Sequence, residues 1–395
     1  MTDEALKIIF ASHTWMGDTF VVGSHHLSVH LAGMGHRVLH LSTPVTPAHV
    51  LRATSESCRG RFSAWFRGGV RRRNGVVDYV PLSLFPWPVV KWTVRPDFNP
   101  FLATVPSLKR VIRNLGFAPV DVLLVDQPYF AGIERLLKPD FMIYRSTDLY
   151  AEMIGDAAGE AAQNTLVRRA DGLVATSDLA LNRLRETNSI VPSLLLENGV
   201  EYEHFARQAA LASGDEDLSA AQVVYVGSLD DRFDFPAVEA LSRGLPEIRI
   251  LIIGPITATA RSRLSGCPNV ILAGARPYAA LPPILQRASV GVLPLSDHPG
   301  NASRSPMKLY EYAAAGLPVV ARSTPELARR REPFVHLYEQ KSELVSLVAG
   351  LLKKPVEKSW VQSLAKPHSW SSKAEVLIKF IQDAKENGGG SARPE

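Results

Sequence analysis

The chain alternates short, almost uninterrupted apolar runs with longer segments in which apolar residues recur every third or fourth position. An apolar run of about four to eight residues is typical of a strand buried on both faces, and the longer period is typical of an amphipathic helix. The sequence therefore predicts an α/β protein with parallel sheets covered by helices such as HHLSVHLAGMG and EAAQNTLVRRA. The predicted strands are LKIIFAS, HRVLHLS, DVLLVD, FMIYRS, GLVATS and SLLLEN in the first half, and VVYVGS, RILIIG, NVILAG, SVGVLPL and PVVAR in the second.

The pattern pauses around residues 201–220, which predict a linker followed by a helix. A chain of 395 residues has room for two domains, since a domain averages about 150 residues. We predict two Rossmann-like domains of similar size, over residues 1–203 and 204–365, with their parallel sheets facing a central cleft. A helix over 366–386 and a disordered tail over 387–395 complete the chain.

Composition is ordinary for a soluble enzyme, because 46% of the residues are hydrophobic and 21% are charged. No apolar run approaches the roughly 20 residues that a spanning helix needs. The acidic N-terminus leads directly into a predicted strand, so we expect no secretory signal and a cytoplasmic protein. Cys58 and Cys267 are too few and too far apart in sequence to indicate a disulfide framework or a metal site.

The net charge of +5 is unevenly distributed. Residues 57–77 contain six arginines and no acidic residue, and the segment that follows is rich in Trp, Phe and Pro. Two interpretations of residues 57–101 stay open: an irregular insertion with a solvated basic face, and a surface that docks on anionic lipid or a lipid-linked acceptor. Nucleic acid is disfavoured, because no recognised nucleic-acid module accompanies the basic residues. The residues predicted to face the membrane or acceptor in this segment are Trp65, Arg71, Arg72, Arg73, Trp87 and Trp92.

One predicted helix in the second domain carries a cation where a helix disfavours one. In SRSPMKLYEYAAAGLPVVAR, residues 303–322, Ser305 can act as N-cap and Pro306 suits the first helical position. Gly316 can end the helix in a left-handed turn. Lys308 then lies beside the positive end of the helix dipole, which costs about 0.3 kcal/mol at an exposed site. This arrangement indicates an anionic ligand at the same place.

Polar groups after the predicted strands suit such a ligand, because ligands of parallel sheets collect at the carboxyl ends of the strands. Gly227 and Ser228 follow one strand, and a glycine there lets a phosphate approach backbone N–H groups. Glu311 shares a helix face with Lys308 and can accept hydrogen bonds from two ribose hydroxyls. The alternative is a simple ion pair between Lys308 and Glu311, worth about 0.3 kcal/mol.

PMKLYEYAAAGLPVVA resembles the nucleotide-sugar-binding segment of GT-B glycosyltransferases, whose pattern is P-x-K-x-x-E-x-x-A-x-G-x-P-V. ENGVEYEHF resembles the interdomain crossing of that superfamily, and ARPYAALPPIL the stretch after the fourth strand of its donor domain. KPHSWSSKAEVL resembles its C-terminal end, where a helix packs back on the first domain. The resemblance implies an acceptor-binding first domain and a donor-binding second domain. The donor-binding residues that it implies are Gly227, Ser228, Leu229, Arg276, Ser305, Met307, Lys308 and Glu311.

FASHTW, the helix of His25, YRSTDLY and YVGSLDDRFDF are similar to segments of the xanthan-type β-glucuronosyltransferases. That family transfers glucuronic acid from UDP to a polyprenyl-diphosphate-linked oligosaccharide at the inner face of the bacterial membrane. Its catalytic base, the Asp of a YRASDG-type segment, corresponds to Asp148. The chain departs from the family at Leu295, where relatives often have Tyr, and at Glu311, where the family has Gln.

The stereochemistry of transfer also has a sequence signal. Many retaining GT-B enzymes carry E-x7-E, and the position eight residues before Glu311 is Ser303, which favours inversion. Inversion needs a general base to take the proton of the acceptor hydroxyl while the donor ring becomes oxocarbenium-like. Lys308 and the helix N-terminus can stabilise the leaving UDP, and no D-x-D motif stands at a suitable place. We predict metal independence and no cofactor besides the UDP-sugar co-substrate.

Two residues compete for the role of base. Asp148 follows a predicted strand and matches the family, with an N-cap of the next helix as the alternative. His13 lies after the first strand, where some inverting GT-B families have a catalytic histidine, with a backbone-bonding role as the alternative. His25 opens a helix near the acceptor side and has a packing role as its alternative. Asp126 is expected to orient a neighbour or to cap a turn. Arg304 is expected to be solvated, with pairing to a donor carboxylate or to the diphosphate as the alternative.

The sequence thus predicts an inverting, metal-independent glycosyltransferase that moves a sugar from a UDP-sugar, with UDP-glucuronate implied, to a lipid-linked oligosaccharide or other glycan in polysaccharide biosynthesis. We expect the protein to lie peripherally on the anionic inner face of the plasma membrane and to bind no nucleic acid. One alternative is a nucleotide-sugar 2-epimerase of the same fold, which needs no acceptor. The other is a non-catalytic sugar-nucleotide-binding protein, which would tolerate Asp148→Asn.

Overall fold

A computed structural model describes residues 5–17, 21–47, 49, 56–85, 100–149, 157–208 and 222–388 of the chain. The chain forms two compact units, one of the residues up to Glu197 with those from Lys373 onward, and one of Asn198–Ser372. The unit boundaries therefore lie at 197/198 and 372/373, where the sequence pattern predicts 203/204 and 365/366. Each unit has a hydrophobic core of its own.

The described part of the first unit contains a sheet of eight strands in the order β3-β4-β2-β1-β5-β6-β7-β8. Its strands are β1 (Lys7–Ser12), β2 (Arg37–Ser42), β3 (Val70–Arg73), β4 (Val76–Tyr79), β5 (Val122–Val125), β6 (Phe141–Ser146), β7 (Gly172–Ala175) and β8 (Ser193–Leu195). Its helices are α1 (Gly23–Gly33), α2 (Glu56–Phe66), α3 (Leu108–Asn114), α4 (Ile133–Leu137), α5 (Ala157–Arg169) and α6 (Asp178–Thr187), with short 3-10 helices at Pro100–Ala103 and Pro128–Phe130.

β1 lies inside this sheet and determines where a ligand site can form. Ile8 pairs in parallel with Val38 of β2 on one side and with Val122 of β5 on the other. β1 and β5 are almost wholly apolar, as is typical of parallel strands that helices cover on both faces. Strand order reverses between β1 and β5, so the crevice of the sheet lies at the loops after these strands, which begin at His13 and Asp126.

The described part of the arginine-rich segment forms regular secondary structure, which differs from its interpretation as an irregular insertion. α2 and the hairpin β3–β4 occupy most of residues 56–79, and β4 pairs in parallel with β2, Leu39 opposite Val77. Asn74 and Gly75 form the hairpin turn with φ of 50° and 78°, the left-handed conformations that a two-residue turn requires. The pair Asn-Gly was a usable signal, and the sequence analysis missed it because arginines fill the short edge strand β3.

Over residues 198–208 and 222–372, the second unit contains a sheet of six parallel strands in the order β11-β10-β9-β12-β13-β14. Its strands are β9 (Val223–Val226), β10 (Ile250–Ile253), β11 (Val270–Gly274), β12 (Val290–Leu293), β13 (Val319–Arg322) and β14 (Val335–Tyr338). Its helices are α7 (Tyr202–Ala206), α8 (Phe235–Gly244), α9 (Ala258–Arg263), α10 (Leu281–Arg287), α11 (Met307–Ala314), α12 (Pro325–Arg330), α13 (Lys341–Lys353) and α14 (Lys358–Ala365), with short 3-10 helices at Tyr278–Ala280, Pro299–Asn301 and Lys366–His368.

In the second unit strand order reverses between β9 and β12, so its crevice lies at the loops that follow these strands. The two loops are joined by an antiparallel bridge between Phe233 and Leu295. Asp234 N–H donates to the Pro294 carbonyl at 2.8 Å. These bonds hold the two sides of the crevice together.

All the predicted strands are present, and the structure adds β3, β4 and β14. β14 was missed because it is an edge strand whose residues Val335–Leu337 are only half-buried, so its apolar pattern is weak. None of the helices in the described ranges is long and apolar enough to cross a membrane.

The C-terminal helix α15 (Trp370–Gly388) begins a little later than the predicted helix over 366–386. Its residues from Lys373 onward belong to the first unit. Phe380 of this helix packs against β7, because a Cβ added at Gly172 would lie 3.2 Å from the Phe380 ring. Most of the predicted disordered tail, 389–395, lies outside the described residues.

Candidate active site

The start of α11 offers backbone N–H groups without a capping side chain. Pro306 is the N-cap, whereas the sequence predicts it as the first helical residue, so the helix begins one residue later than predicted. The proline side chain has no atom that could accept a hydrogen bond. Free N–H groups and the helix dipole both favour an anion there. The predicted end is confirmed: Gly316 has φ 86°, and Leu317 N–H donates to the Tyr312 carbonyl at 2.9 Å.

Ser305 is not the N-cap that the sequence predicts. Its Oγ accepts hydrogen bonds from Asn198 N–H at 3.1 Å and from the Arg330 guanidinium at 2.7 Å. Its carbonyl accepts from Asn198 Nδ2 at 2.8 Å. Arg330 also donates to the buried carboxylate of Glu326 at 3.0 Å. Ser305 is therefore a buried junction that holds the segment before α11.

The ion pair between Lys308 and Glu311, which the sequence analysis weighs as an alternative, is present with Nζ 2.8 Å from Oε2. The Glu311 side chain is 2% exposed and that of Lys308 is 26% exposed. Burial, followed by the charges of Glu311 and Glu201, raises the pKa of Tyr278. An ammonium has three donors, so the ion pair holds Lys308 at the helix start and leaves it able to bind a second anion.

Two buried tyrosines that the sequence analysis missed join α11 to the loop after β9. Tyr312 Oη accepts from Val226 N–H at 2.7 Å, and Tyr225 Oη donates to the Ser228 carbonyl at 2.9 Å. Burial raises the pKa of Tyr225 to about 12 and that of Tyr312 well above its usual range. The available signal was a Tyr among the apolar residues of a strand and of a helix, since a buried Tyr hydroxyl needs a partner.

The loop after β9 is closely packed against the loop after β10, where a glycine of each meets the other. Gly227 N–H donates to the Ile253 carbonyl at 2.9 Å, and a Cβ at Gly254 would lie 1.9 Å from the Gly227 oxygen. Ser228 is exposed in this loop. Leu229 is 4% exposed and its side chain packs in the core, so its donor contact stays a prediction.

Cations surround this loop. Arg232 binds Asp230 through two bonds, with Nη2 2.5 Å from Oδ2 and Nε 3.1 Å from Oδ1. These bonds lower the pKa of Asp230, and the charge of Arg304 lowers it further. Arg304 is expected to be solvated, but the structure places it half-buried. Its charge also lowers the pKa of Tyr225, against the larger effect of burial. Ser303, at the position of the E-x7-E carboxylate, is 1% exposed.

The other predicted donor residues lie at two places. Met307 is half-buried at the start of α11. Arg276 is exposed and follows the edge strand β11. Within the described residues, no three His, Cys, Asp or Glu side chains form a group that could hold a metal ion.

In the first unit, the loop after β1 carries His13 and is held by its neighbours. The His13 side chain is exposed, and its carbonyl accepts from Thr43 Oγ1 at 3.1 Å. Met16 N–H donates to Asp78 at 3.4 Å, and Arg73 donates to the Met16 carbonyl at 3.4 Å. The arginine hairpin therefore contacts the loop at the crevice of this sheet.

His25 does not face an acceptor as predicted, because it is 4% exposed. Its Nε2 lies 2.9 Å from Thr14 Oγ1, and its ring packs edge-on against His40 at 4.9 Å. Burial, followed by the charge of His40 and other neighbours, lowers the pKa of His25 to about 2. The neutral ring therefore packs in the core and holds Thr14, the residue after His13.

Asp148 follows β6 and is half-buried. Ser146 Oγ donates to its carbonyl at 2.8 Å, and a cavity of about 270 Å³ opens beside its side chain. The N-cap alternative concerns residues 150–156, which lie outside the described residues. In the neighbouring loop, Asp126 accepts from Arg145 at 3.2 Å in a buried ion pair, so Asp126 orients a neighbour as expected.

The residues predicted to face a membrane are only partly described. Trp65 is half-buried and packs against the cluster of Trp15, Val45, Ala64 and Val80. Arg73 is exposed, and the backbone of Arg71 and Arg72 lies in β3. Trp87 and Trp92 lie outside the described residues.

Known proteins resemble the chain in sequence and in fold. Residues 218–354 match the family described as Glycosyl transferases group 1. TuaH of Bacillus subtilis (strain 168), whose name assigns it to teichuronic acid biosynthesis as a glycosyltransferase, is 24% identical over 276 residues, which cover 64% of this chain and 70% of TuaH.

Solved structures match nearly the whole chain. The trehalose-6-phosphate synthase OtsA has a TM-score of 0.68 at 10% identity, covering 95% of this chain and 98% of that one. Anabaena Alr3699/HepE in complex with UDP has 0.64 at 13%, covering 96% and 100%. Sucrose-phosphate synthase from Thermosynechococcus elongatus has 0.63 at 15%, covering 97% of each chain. The chain therefore has the GT-B fold, and its second unit carries the group 1 match.

Proposed function

We propose that this protein of GT-B fold is a group 1 glycosyltransferase, which transfers a sugar from a UDP-sugar, with inversion and without a metal, to a lipid-linked glycan in polysaccharide biosynthesis. The observation that carries the proposal is Lys308 beside the uncapped start of α11, at the crevice of the second sheet. Similar proteins support the choice of substrates: HepE forms a complex with UDP, and the name of TuaH assigns it to teichuronic acid biosynthesis.

The donor diphosphate binds where positive charge is concentrated. Its oxygens accept hydrogen bonds from the first N–H groups of α11 and from Lys308, and the helix dipole adds to the attraction. When the glycosidic oxygen leaves on UDP, these same groups stabilise the new negative charge without having to reorganise. Buried Glu311 keeps Lys308 in place and accepts from the ribose hydroxyls.

The finer donor assignment is UDP-glucuronate. Arg304 is half-buried, and its charge acts on Asp230 and Tyr225, both next to the loop after β9. A guanidinium there suits a donor sugar that carries a carboxylate, because Arg binds carboxylates through two parallel hydrogen bonds.

Inversion follows from what surrounds the anomeric carbon in this proposal. Position 303 is a buried serine and provides no carboxylate on the donor side. Asp148 takes the proton of the acceptor hydroxyl while the oxygen of that hydroxyl bonds to the anomeric carbon. The electron pair of the breaking bond between the anomeric carbon and the diphosphate leaves with UDP. His13 is the competing base, because it is exposed at the crevice of the first sheet.

The acceptor is proposed to arrive from the anionic inner face of the plasma membrane along the arginine-rich segment. Arg73 and Arg67 are exposed there, and the Phe66 side chain is 76% exposed. Basic side chains gain about 1 kcal/mol each near anionic lipid, and aromatics favour the interface. Replacing Arg71, Arg72 and Arg73 together with Ser should abolish co-sedimentation with anionic vesicles at low salt; unchanged co-sedimentation would contradict this part.

The donor site is tested by calorimetric titration of the full chain with UDP, UDP-glucose, UDP-glucuronate and UDP-N-acetylglucosamine. We expect one UDP-sugar to bind at micromolar level and Lys308→Ala to weaken it about 10- to 100-fold, as expected for a charge-assisted hydrogen bond. The matched control, Lys353→Ala at an exposed position of α13, should bind as the wild type does. If no UDP compound binds, or Lys308→Ala binds equally well, the proposed donor site is wrong.

A further inference from the structure

The cavity beside Asp148 lies wholly within the first unit, at the carboxyl end of β6 and between α5 and α6. It has a volume of about 270 Å³. Pockets for drug-sized ligands measure roughly 300–1,000 Å³, so this cavity suits one small ring and is too small for a nucleotide or an oligosaccharide. Its walls are mostly polar and come from Ser146, Asp148, Glu160, Gln163, Asn164 and Arg183, with Leu149, Ala180 and Leu184 among the apolar residues.

Two amides on α5 are oriented by protein contacts. Gln163 Oε1 accepts from the Tyr144 phenol at 3.1 Å, and Asn164 Oδ1 accepts from the Thr187 hydroxyl at 3.3 Å. The oxygen of each amide is thus used by the protein, while its –NH2 group has no protein acceptor in the described part of the chain. Each –NH2 group carries two donors, so the cavity offers oriented donors to oxygen atoms of a ligand.

The same walls offer acceptors and an apolar floor. The carboxylates of Asp148 and Glu160 can accept hydrogen bonds. A hydroxyl of a sugar ligand both donates and accepts, so it can pair with these carboxylates and with the amide –NH2 groups. The floor is formed by buried Ala180 and Leu184 on α6. Adjacent donors and acceptors above an apolar surface match a pyranose ring, which has hydroxyls at its edge and C–H groups on its face.

Charge decides between neutral and anionic rings. Among the described residues that line the cavity, the carboxylates are those of Asp148, Glu160 and Glu186, and the one guanidinium is that of Arg183, which donates to Glu186 at 3.0 Å. A ligand carboxylate would meet repulsion from this excess of negative charge. A neutral sugar is therefore favoured over a uronic acid.

We propose that this cavity is the subsite for the terminal, neutral sugar ring of the acceptor, with Gln163 and Asn164 as its specificity-determining residues. The proposal rests on the proposed function, because it places the acceptor hydroxyl beside Asp148. It also favours Asp148 over His13 as the base.

The test uses the full-length chain and ligand-observed saturation-transfer NMR with the methyl glycosides of glucose, mannose, galactose and glucuronic acid. We expect at least one neutral glycoside to bind more strongly than the glucuronide. Gln163→Glu keeps an oxygen for Tyr144 but replaces the –NH2 donors with an acceptor, so it should weaken that glycoside about tenfold. Asn164→Asp is a second variant of the same design and should act in the same direction.

The matched control is Asn182→Asp, the same amide-to-acid change at an exposed position of α6 whose Nδ2 bonds Asp178 at 3.0 Å. It should bind the glycoside as the wild type does. No binding of any glycoside, or equal loss in Asn182→Asp, would overturn the subsite. This measurement needs no donor. If the wild-type chain binds UDP but no glycoside, the subsite alone is refuted, whereas a wild-type chain that does not bind UDP refutes the proposed function.

Discussion

Tyr312 of α11 accepts a hydrogen bond from the backbone N–H of Val226 at 2.7 Å. Its ring also lies against β12, because a Cβ added at Gly291 would be 2.4 Å from Tyr312 Cδ2. One side chain therefore touches both strands that flank the crevice of the second sheet. This contact fixes the helix that carries Lys308 relative to the loop that carries Gly227.

Tyr312→Phe should lower the free energy of unfolding by about 1–3 kcal/mol, because it leaves the buried Val226 N–H without a partner. It should also weaken binding of the UDP-sugar, since the start of α11 is then less firmly held. Chemical denaturation and calorimetry measure the two effects. Tyr202→Phe, a half-buried tyrosine at the start of α7, is the control and should leave both unchanged; a Tyr312→Phe protein of wild-type stability would contradict the role given to this bond.

Gly254→Ala should be strongly destabilising, because its Cβ would lie 1.9 Å from the Gly227 carbonyl oxygen, and backbone atoms cannot move aside cheaply. We expect a loss of at least the 1–3 kcal/mol that is typical of overpacking, together with loss of UDP binding. Gly266→Ala is the matched control, since nothing lies within 4 Å of its Cβ. Thermal unfolding of the two variants decides, and equal melting temperatures would refute the close approach.

His25 should make the protein less stable in acid. Its pKa is lowered from 6.5 to about 2, chiefly by burial, so between these values the unfolded chain binds a proton that the folded chain does not. Stability then rises with pH up to about 6.5, and lowering the pH from 7 to 5 should reduce the free energy of unfolding by about 2 kcal/mol through this residue. His25→Gln should flatten the pH dependence of urea unfolding over this range. A wild-type slope in His25→Gln would be the contrary result.

Asp148 and His13 can be separated by kinetics. If Asp148 is the base, Asp148→Asn should lower kcat by about 10²–10⁴-fold, the usual contribution of a general base, and should leave the affinity for UDP unchanged. His13→Ala should then reduce transfer only slightly. The reverse pattern would assign the base to His13, and an unaffected Asp148→Asn with normal UDP binding would favour a protein that does not catalyse transfer.

Much of this protein could be predicted because its strands are buried on both faces. A run such as VLLVD has few alternatives to a parallel strand under helices, and order along the chain with right-handed crossovers limits the arrangement of the sheet. Gly316 was predictable in the same local way, because only a left-handed residue closes the helix there. Lys308 was found from its place in the first turn of a predicted helix, and Glu311 from its spacing, since residues three apart share a helix face.

Local pattern could not identify features that depend on distant partners. Ser305 has the composition of an N-cap, but Asn198 and Arg330, far away in sequence, take its oxygen atoms. His25 opens a helix like an exposed residue, and only its packing against His40 shows it buried. The hairpin β3–β4 was hidden because arginines at a sheet edge give no apolar pattern.

The sequence by itself determined the α/β class, the positions of the buried strands and the helix that bears Lys308, because these follow from periodicities and caps within about ten neighbouring residues. Only the tertiary structure decided which polar groups have protein partners and which are left for a ligand. Gln163 illustrates the difference: its amide is oriented by Tyr144, from another element, and the –NH2 group that remains free in the described chain faces a cavity that no local pattern encodes.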